Sequence, residues 1–132
     1  MGRQANTFKK QERLSGKKVI TELFKHGKTG LNYPLKFIFI ENEPVENGHA
    51  SVAIAVSKRN FRKAVDRNLI KRRIREAYRL NKQILYSGST GKKVSVMLIY
   101  VADEVLSFSL IDKSMKQVLI RIAKGIKAPS NI

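Results

Sequence analysis

Two hydrophobic periods alternate along this chain, and their order predicts its architecture. Val19, Ile20, Leu23 and Phe24 recur at helical spacing. Ser15 is placed as an N-cap, with Leu14 and Val19 as a hydrophobic staple. Lys25 and His26 suit a last turn, and Gly27 suits a left-handed C-cap. The spacing predicts a helix over 16–26. After Tyr33-Pro34 the period becomes two. In the run LKFIFIE, Leu35, Phe37 and Phe39 take one face and Lys36, Ile38 and Ile40 the other. Pro34 fits a strand start, where no amide donor is needed.

Residues 42–49 read as a connection with an Asn47-Gly48 turn. Residues 50–56 (ASVAIAV) read as a second strand, expected antiparallel to the first. A basic helix is predicted over 64–82, a loop over 86–93 and a strongly apolar, central strand over 94–101. The last helix starts at Ser107 or Ser109, and Ser109-x-x-Asp112 resembles a capping box. Ile111, Met115, Val118, Leu119, Ile122 and Ile126 repeat every 3.6 residues as a core face, and Lys124, Gly125 and Lys127 mark its end. Helix, strands, helix, strand, helix, with no repeat or linker, predicts an α+β single domain with one sheet packed by helices. The domain spans 13–127, between a loose polar N-terminus (1–12) and a short tail (128–132).

Composition adds a partner to this outline. The chain has 132 residues, enough to bury a core, and 42% of them are hydrophobic. Its net charge of +17 is therefore not the mark of a disordered tail. A pI near 10.5 points to nucleic acid ahead of an anionic membrane surface. No apolar run approaches the roughly 20 residues that span a bilayer, and the N-terminus lacks the apolar core of a secretory signal. Without cysteine there is no disulfide framework and no thiolate metal site. These features fit a soluble cytoplasmic protein.

The acids argue against a metal-dependent nuclease. Two-metal chemistry needs several carboxylates converging on ions about 4 Å apart. Glu41, Glu43 and Glu46 fall in a segment that reads as a solvated turn, and Asp103-Glu104 as the approach to a helix. His26 and His49 have no partner pattern. With no nucleophile–base arrangement either, the protein alone is expected to hold no catalytic residue, metal or cofactor.

The charge is concentrated. Between Lys58 and Lys82, eleven Lys/Arg face two acids, Asp66 and Glu76, so nine of the seventeen net charges sit in 25 residues. At about 100° per residue from Ile70, the residues Ile74, Ala77 and Tyr78 fall within about 80° as a buried stripe. Lys71, Arg75, Asn68, Arg79 and Arg72 share an arc from about 100° to 200°. A merely solvated face usually interleaves Glu with Lys; here Glu76 lies outside the cluster. The arc reads as a polyanion-binding ridge. Arginine's fork suits phosphate, and Asn68 can meet a 2′-OH, a base edge or backbone.

The segment Lys63-Ala64-Val65-x-Arg67-Asn68-x-x-Lys71-Arg72-x-x-Arg75-Glu76 closely resembles the motif helix of the bacterial ribonuclease P protein subunit. Arg13-Leu14, the apolar run into Phe24, Lys25-His26-Gly27 and Val56-Ser57-Lys58 agree with that family too. The resemblance covers roughly residues 8–125. It implies an α+β sandwich similar to ribosomal protein S5 domain 2, with a left-handed βαβ crossover. It implies an accessory subunit of a ribonucleoprotein that removes the 5′ leader from precursor tRNA, with the catalytic Mg2+ on the RNA subunit. Arg67, Asn68, Lys71, Arg72 and Arg75 match motif positions facing that RNA. Lys58 and Lys63 match flanking basic positions, and Arg79 continues the ridge.

The resemblance also implies a cleft for the single-stranded leader between the N-terminal helix and the open sheet face. Phe24 fits its aromatic position; Arg13, Ile20, Lys36 and Ile38 occupy neighbouring ones. Two positions depart from the pattern: Leu69 replaces a second arginine after the Asn, and Ile20 replaces an aromatic. The partners implied are the ribonuclease P RNA and precursor tRNA, with no membrane and no obligate protein partner. Two other readings stand beside this one. A ribosomal or other structural RNA-binding protein of the same fold explains charge and fold equally. A helix-turn-helix DNA regulator would use the 64–82 helix, but a strand precedes that helix where a short helix and turn are needed.

Overall fold

The period-two runs fold into one four-stranded sheet, and the helical runs cover it. The computed structural model describes residues 17–41, 51–88 and 94–127. Its elements are α1 (Lys17–His26), β1 (Lys28–Asn32), β2 (Leu35–Glu41), β3 (Ser51–Val56), α2 (Ala64–Gly88), β4 (Val94–Tyr100) and α3 (Phe108–Lys127). The strand order is β1-β2-β4-β3. β2 pairs antiparallel with β1 and β4, whereas β3 pairs parallel with β4.

That order corrects the expected pairing of residues 50–56 with the first strand. The physical reason is the crossover: α2 carries the chain from β3 back to the same end of the sheet, so β4 starts in the same direction as β3. β4 thus lies between β2 and β3, inside the sheet.

Alternation then divides the side chains. Leu35, Phe37 and Phe39 join Val52, Val94, Val96, Leu98 and Tyr100 under α2 and α3. From α2 come Ile70, Ile74, Ala77, Tyr78 and Leu85, and from α3 come Ile111, Met115, Val118, Leu119 and Ile122, all buried. α2 runs past Lys82 because Ile84 and Leu85 continue its apolar stripe. The opposite sheet face carries a smaller cluster, Leu23 of α1 on Ile38 and Met97.

β1 was not predicted. KTGLN has neither alternation nor β-branched density, and it forms because a two-residue turn at Tyr33–Pro34 folds it back on β2. Its glycine is needed for packing: a Cβ on Gly30 would collide with the Phe37 ring. α3 then holds this edge strand, with Ser114 Oγ donating to the Asn32 carbonyl (2.6 Å) and Arg121 Nη1 donating to the Leu31 carbonyl (2.7 Å).

Two capping expectations also change. Gly27 closes α1 by donating its N–H to the Leu23 carbonyl at 2.8 Å, without a left-handed backbone. It is glycine because a Cβ would sit 2.5 Å from Ile38 Cγ2. At α3 the cap is Ser107, whose Oγ accepts the Leu110 N–H at 3.3 Å. Ser109 already lies within the first turn, so no Ser109–Asp112 box forms. Asp112 instead accepts from Asn81 Nδ2 (2.7 Å) and pairs with Lys116 (3.3 Å). The expected staple around Leu14 and Ser15, the Asn47-Gly48 turn, the 89–93 part of the loop and the two tails lie outside the described residues.

Candidate nucleic-acid interface

The turn between β3 and α2 sets the ridge. Ser57 Oγ accepts the N–H groups of Arg59 (3.1 Å) and Asn60 (3.3 Å), and its carbonyl accepts that of Phe61 (3.1 Å). Phe61 is buried against Tyr100, with ring centroids 5.9 Å apart. Tyr100 in turn donates its hydroxyl to the Glu104 carbonyl (2.8 Å) and accepts the Leu106 N–H (3.0 Å). The loops that follow β3 and β4, at one end of the sheet, are thereby fixed to one aromatic pair.

The structure sorts the cations of Lys58–Lys82 into three groups. Lys58, Arg59, Arg62, Lys63, Arg72 and Arg75 are exposed, as is Asn68. Arg59 and Arg62 were not among the expected site residues; their place on the turn, and not on a helix wheel, hid them. Arg67, Lys71, Arg73 and Arg79 are half-buried. Lys82, at 2% exposure, belongs to the interior.

Within the half-buried group some guanidinium groups already serve the fold. Arg67 Nη1 donates to the carbonyls of Phe61 (2.7 Å) and Arg62 (3.0 Å), locking the turn against the first turn of α2. Arg73 Nη1 donates to the Leu106 carbonyl at 2.6 Å, joining α2 to the approach of α3. Arg79 grips Glu76 through Nε–Oε1 at 3.0 Å and Nη2–Oε2 at 2.5 Å. That hydrogen bonding holds the Glu76 carboxyl below its ordinary range and pushes the Arg79 guanidinium higher. Glu76 thus offsets the charge at the far end of the ridge. Among the described residues, the part that runs from the turn at Lys58–Lys63 through Asn68 and Lys71 to Arg72 and Arg75 makes no ion pair. Leu69 is half-buried and off the exposed arc.

The second expected surface lies on the other sheet face. α1 packs over β2 and β4. Register places Leu31, Lys36, Ile99 and Ala55 in one row across the sheet, and Thr29, Ile38, Met97 and Ala53 in the next. Leu23 covers the second row. Ile38, expected to line the cleft, is accordingly only 4% exposed and acts as support under α1. In the first row, among the described residues, Leu31 and Lys36 are exposed while Ile99 and Ala55 are half-buried beside that cluster, forming a shallow apolar trough with Lys36 in it. Ile99 and Ala55 were missed because their face depends on strand pairing, which single-strand alternation does not give. Phe24 is 60% exposed on α1, about 100° around the helix from Leu23. Ile20 lies in α1, its side chain outside the described set, and Arg13 lies outside the described residues.

The trough and the cationic turn adjoin at the end of β3. Ala55 ends the open row two residues before Ser57, where the cationic turn begins. Among the described residues no three His, Asp or Glu side chains gather as metal ligands. No helix among them is long and apolar enough to cross a membrane.

Fold and charge together define a small basic α+β protein whose exposed cations gather on the 58–63 turn and one arc of α2. Residues 8–123 match the Ribonuclease P family. The Ribonuclease P protein component of Porphyromonas gingivalis is 34% identical over 119 residues, covering 89% of this chain and 87% of that protein. The solved structure of Staphylococcus aureus RNase P protein superposes with a TM-score of 0.65 at 28% identity, covering 87% of this chain and 97% of that one. RNase P protein from Thermotoga maritima gives a TM-score of 0.68 at 25% identity, over 83% and 96%. The chain belongs to the ribonuclease P family, as a protein component. It is a subunit of a nuclease of tRNA processing.

Proposed function

We propose that this subunit docks on a catalytic RNA through the turn 58–63 and the exposed arc of α2, and holds the single-stranded 5′ leader of precursor tRNA along the open sheet face. The observation that carries the reading is the separation of roles on α2. Ile70, Ile74, Ala77 and Tyr78 are fully committed to the core, while Asn68, Arg72 and Arg75 make no side-chain hydrogen bond or ion pair among the described residues. A helix that keeps like charges together loses stability in isolation, which a polyphosphate partner offsets.

On this reading the RNA partner holds the Mg2+ and performs the hydrolysis. The protein's contribution is to screen phosphate repulsion between RNA and substrate, which favours Mg2+ binding at the junction. The leader is separated from the ridge by β3 alone, so one RNA–substrate junction can touch both. Apolar contact from Ile99 and Ala55 and stacking on Phe24 suit unpaired nucleotides without sequence preference, and Lys36 supplies a phosphate contact.

A photo-crosslinker at residue 24 or 36 tests this arrangement. Crosslinks should form with the leader of a precursor tRNA and not with mature tRNA of the same sequence. Equal crosslinking to both would favour a structural RNA-binding protein with no leader site.

A further inference from the structure

α3 carries a second line of cations that the docking arc does not include. Lys113, Gln117, Arg121 and Lys124 are exposed and follow one another at helical spacing over about 16 Å. The acid of α3, Asp112, lies about 100° or more around the helix, turned toward Asn81 of α2 and paired with Lys116. The line therefore runs on the side of α3 away from α2, along the β1 edge, where Arg121 is fixed by the Leu31 carbonyl and sits 5.1 Å above the Phe37 ring.

At its N-terminal end the line opens into a cavity of about 400 Å³ between the β1–β2 turn and the start of α3. Tyr33, 59% exposed, and Leu110, 51% exposed, supply its aromatic and aliphatic surface. Asn32, Gln117 and Glu104 supply amide and carboxylate groups, and Lys113 stands at its wall. A flat aromatic surface with donors and acceptors beside it, next to a row of cations, matches one ligand chemistry: an unpaired base joined to a phosphate chain.

We propose that α3 and the β1–β2 turn form a second RNA-binding track, in which a single-stranded segment lays its phosphates along Lys113, Arg121 and Lys124 and seats one base against Tyr33. The proposal rests on the reading of the chain as an RNA-binding subunit, but it concerns a site separate from the α2 arc and the sheet trough. The track gives the protein a hold on a strand that leaves the RNA–substrate junction, at the end of the sheet where β1 turns into β2.

The chain has no tryptophan, so the Tyr33→Trp protein carries a single stacking reporter. Titration of this full-length variant with a 12-nucleotide oligoadenylate should quench its emission. Adding Lys113→Gln and Lys124→Gln should weaken the quenching titration by about tenfold and lower its salt slope by about 1.4, as expected for two lost single-strand phosphate contacts. Inorganic polyphosphate should compete without quenching. Oligoadenylate that binds, by anisotropy of a labelled copy, while Trp emission stays constant would overturn the track. If the variant still binds ribonuclease P RNA in that case, the α2 reading stands and this inference alone fails. If neither RNA binds, the reading beneath it fails as well.

Discussion

The Arg72→Ala/Arg75→Ala double variant is expected to bind ribonuclease P RNA at least a hundredfold more weakly at physiological salt, with its fold intact. Each side chain is exposed on the arc of α2 and has no structural partner among the described residues. A charge-assisted contact is worth about 1.5–3 kcal/mol net, so each lost contact costs at least about tenfold. Each also releases about one fewer counterion, so the slope of log K against log salt should flatten by about two units in total. A melting curve should move little, since exposed substitutions usually fall within about 0.5 kcal/mol. An unchanged salt slope would mean that neither arginine touches phosphate. Arg67→Ala is a poor substitute for this test, because Arg67 also holds the carbonyls of Phe61 and Arg62.

Ile74→Ala should do the reverse. Ile74 is fully buried between the sheet and α3. Truncation removes apolar burial and leaves a cavity, costing about 2–5 kcal/mol. That is a large part of a small domain's total stability. Denaturant unfolding should show the midpoint shift with little change in slope. At temperatures where the variant remains folded, its RNA affinity should match that of the parent chain. A loss below about 1 kcal/mol would contradict the placement of α2 in the core.

The two predictions separate because the helix was legible from sequence as two faces. The 3.6-residue stripe of Ile70, Ile74, Ala77 and Tyr78 survives into the structure as four buried side chains. The α3 stripe from Ile111 to Ile122 and the inward side of β2 survive likewise. These are local patterns, fixed by which residues repeat on one side of one element. Strand pairing is not local. β3 joins β4 in parallel and β1 joins β2 on a weak sequence, both because of where the intervening chain delivers them.

The site followed the same division. The exposure of Asn68, Arg72 and Arg75 was legible because a helix wheel places them on the solvent arc. Arg59 and Arg62 lie on a turn, where no periodicity applies. Ile99 and Ala55 join the trough through register with Lys36 and were not legible. Ile38 was legible as outward from β2, but α1 covers that row. Charge counting also cannot tell a cation that serves the fold from one that serves a ligand. Lys82 in the interior and Arg73 on the Leu106 carbonyl are of the first kind.

On the proposed reading, the chain assists an RNA catalyst and does not cut RNA itself. Reconstitution tests it most directly. The purified protein, a bacterial ribonuclease P RNA and a precursor tRNA are combined at near-physiological salt and a few millimolar Mg2+, and 5′-leader release is followed. No cleavage is expected from protein alone, weak cleavage from RNA alone at this Mg2+ concentration, and restored cleavage at the mature 5′ end with both. Cleavage by the protein without RNA, or no stimulation of the cognate RNA by the folded protein, would contradict it.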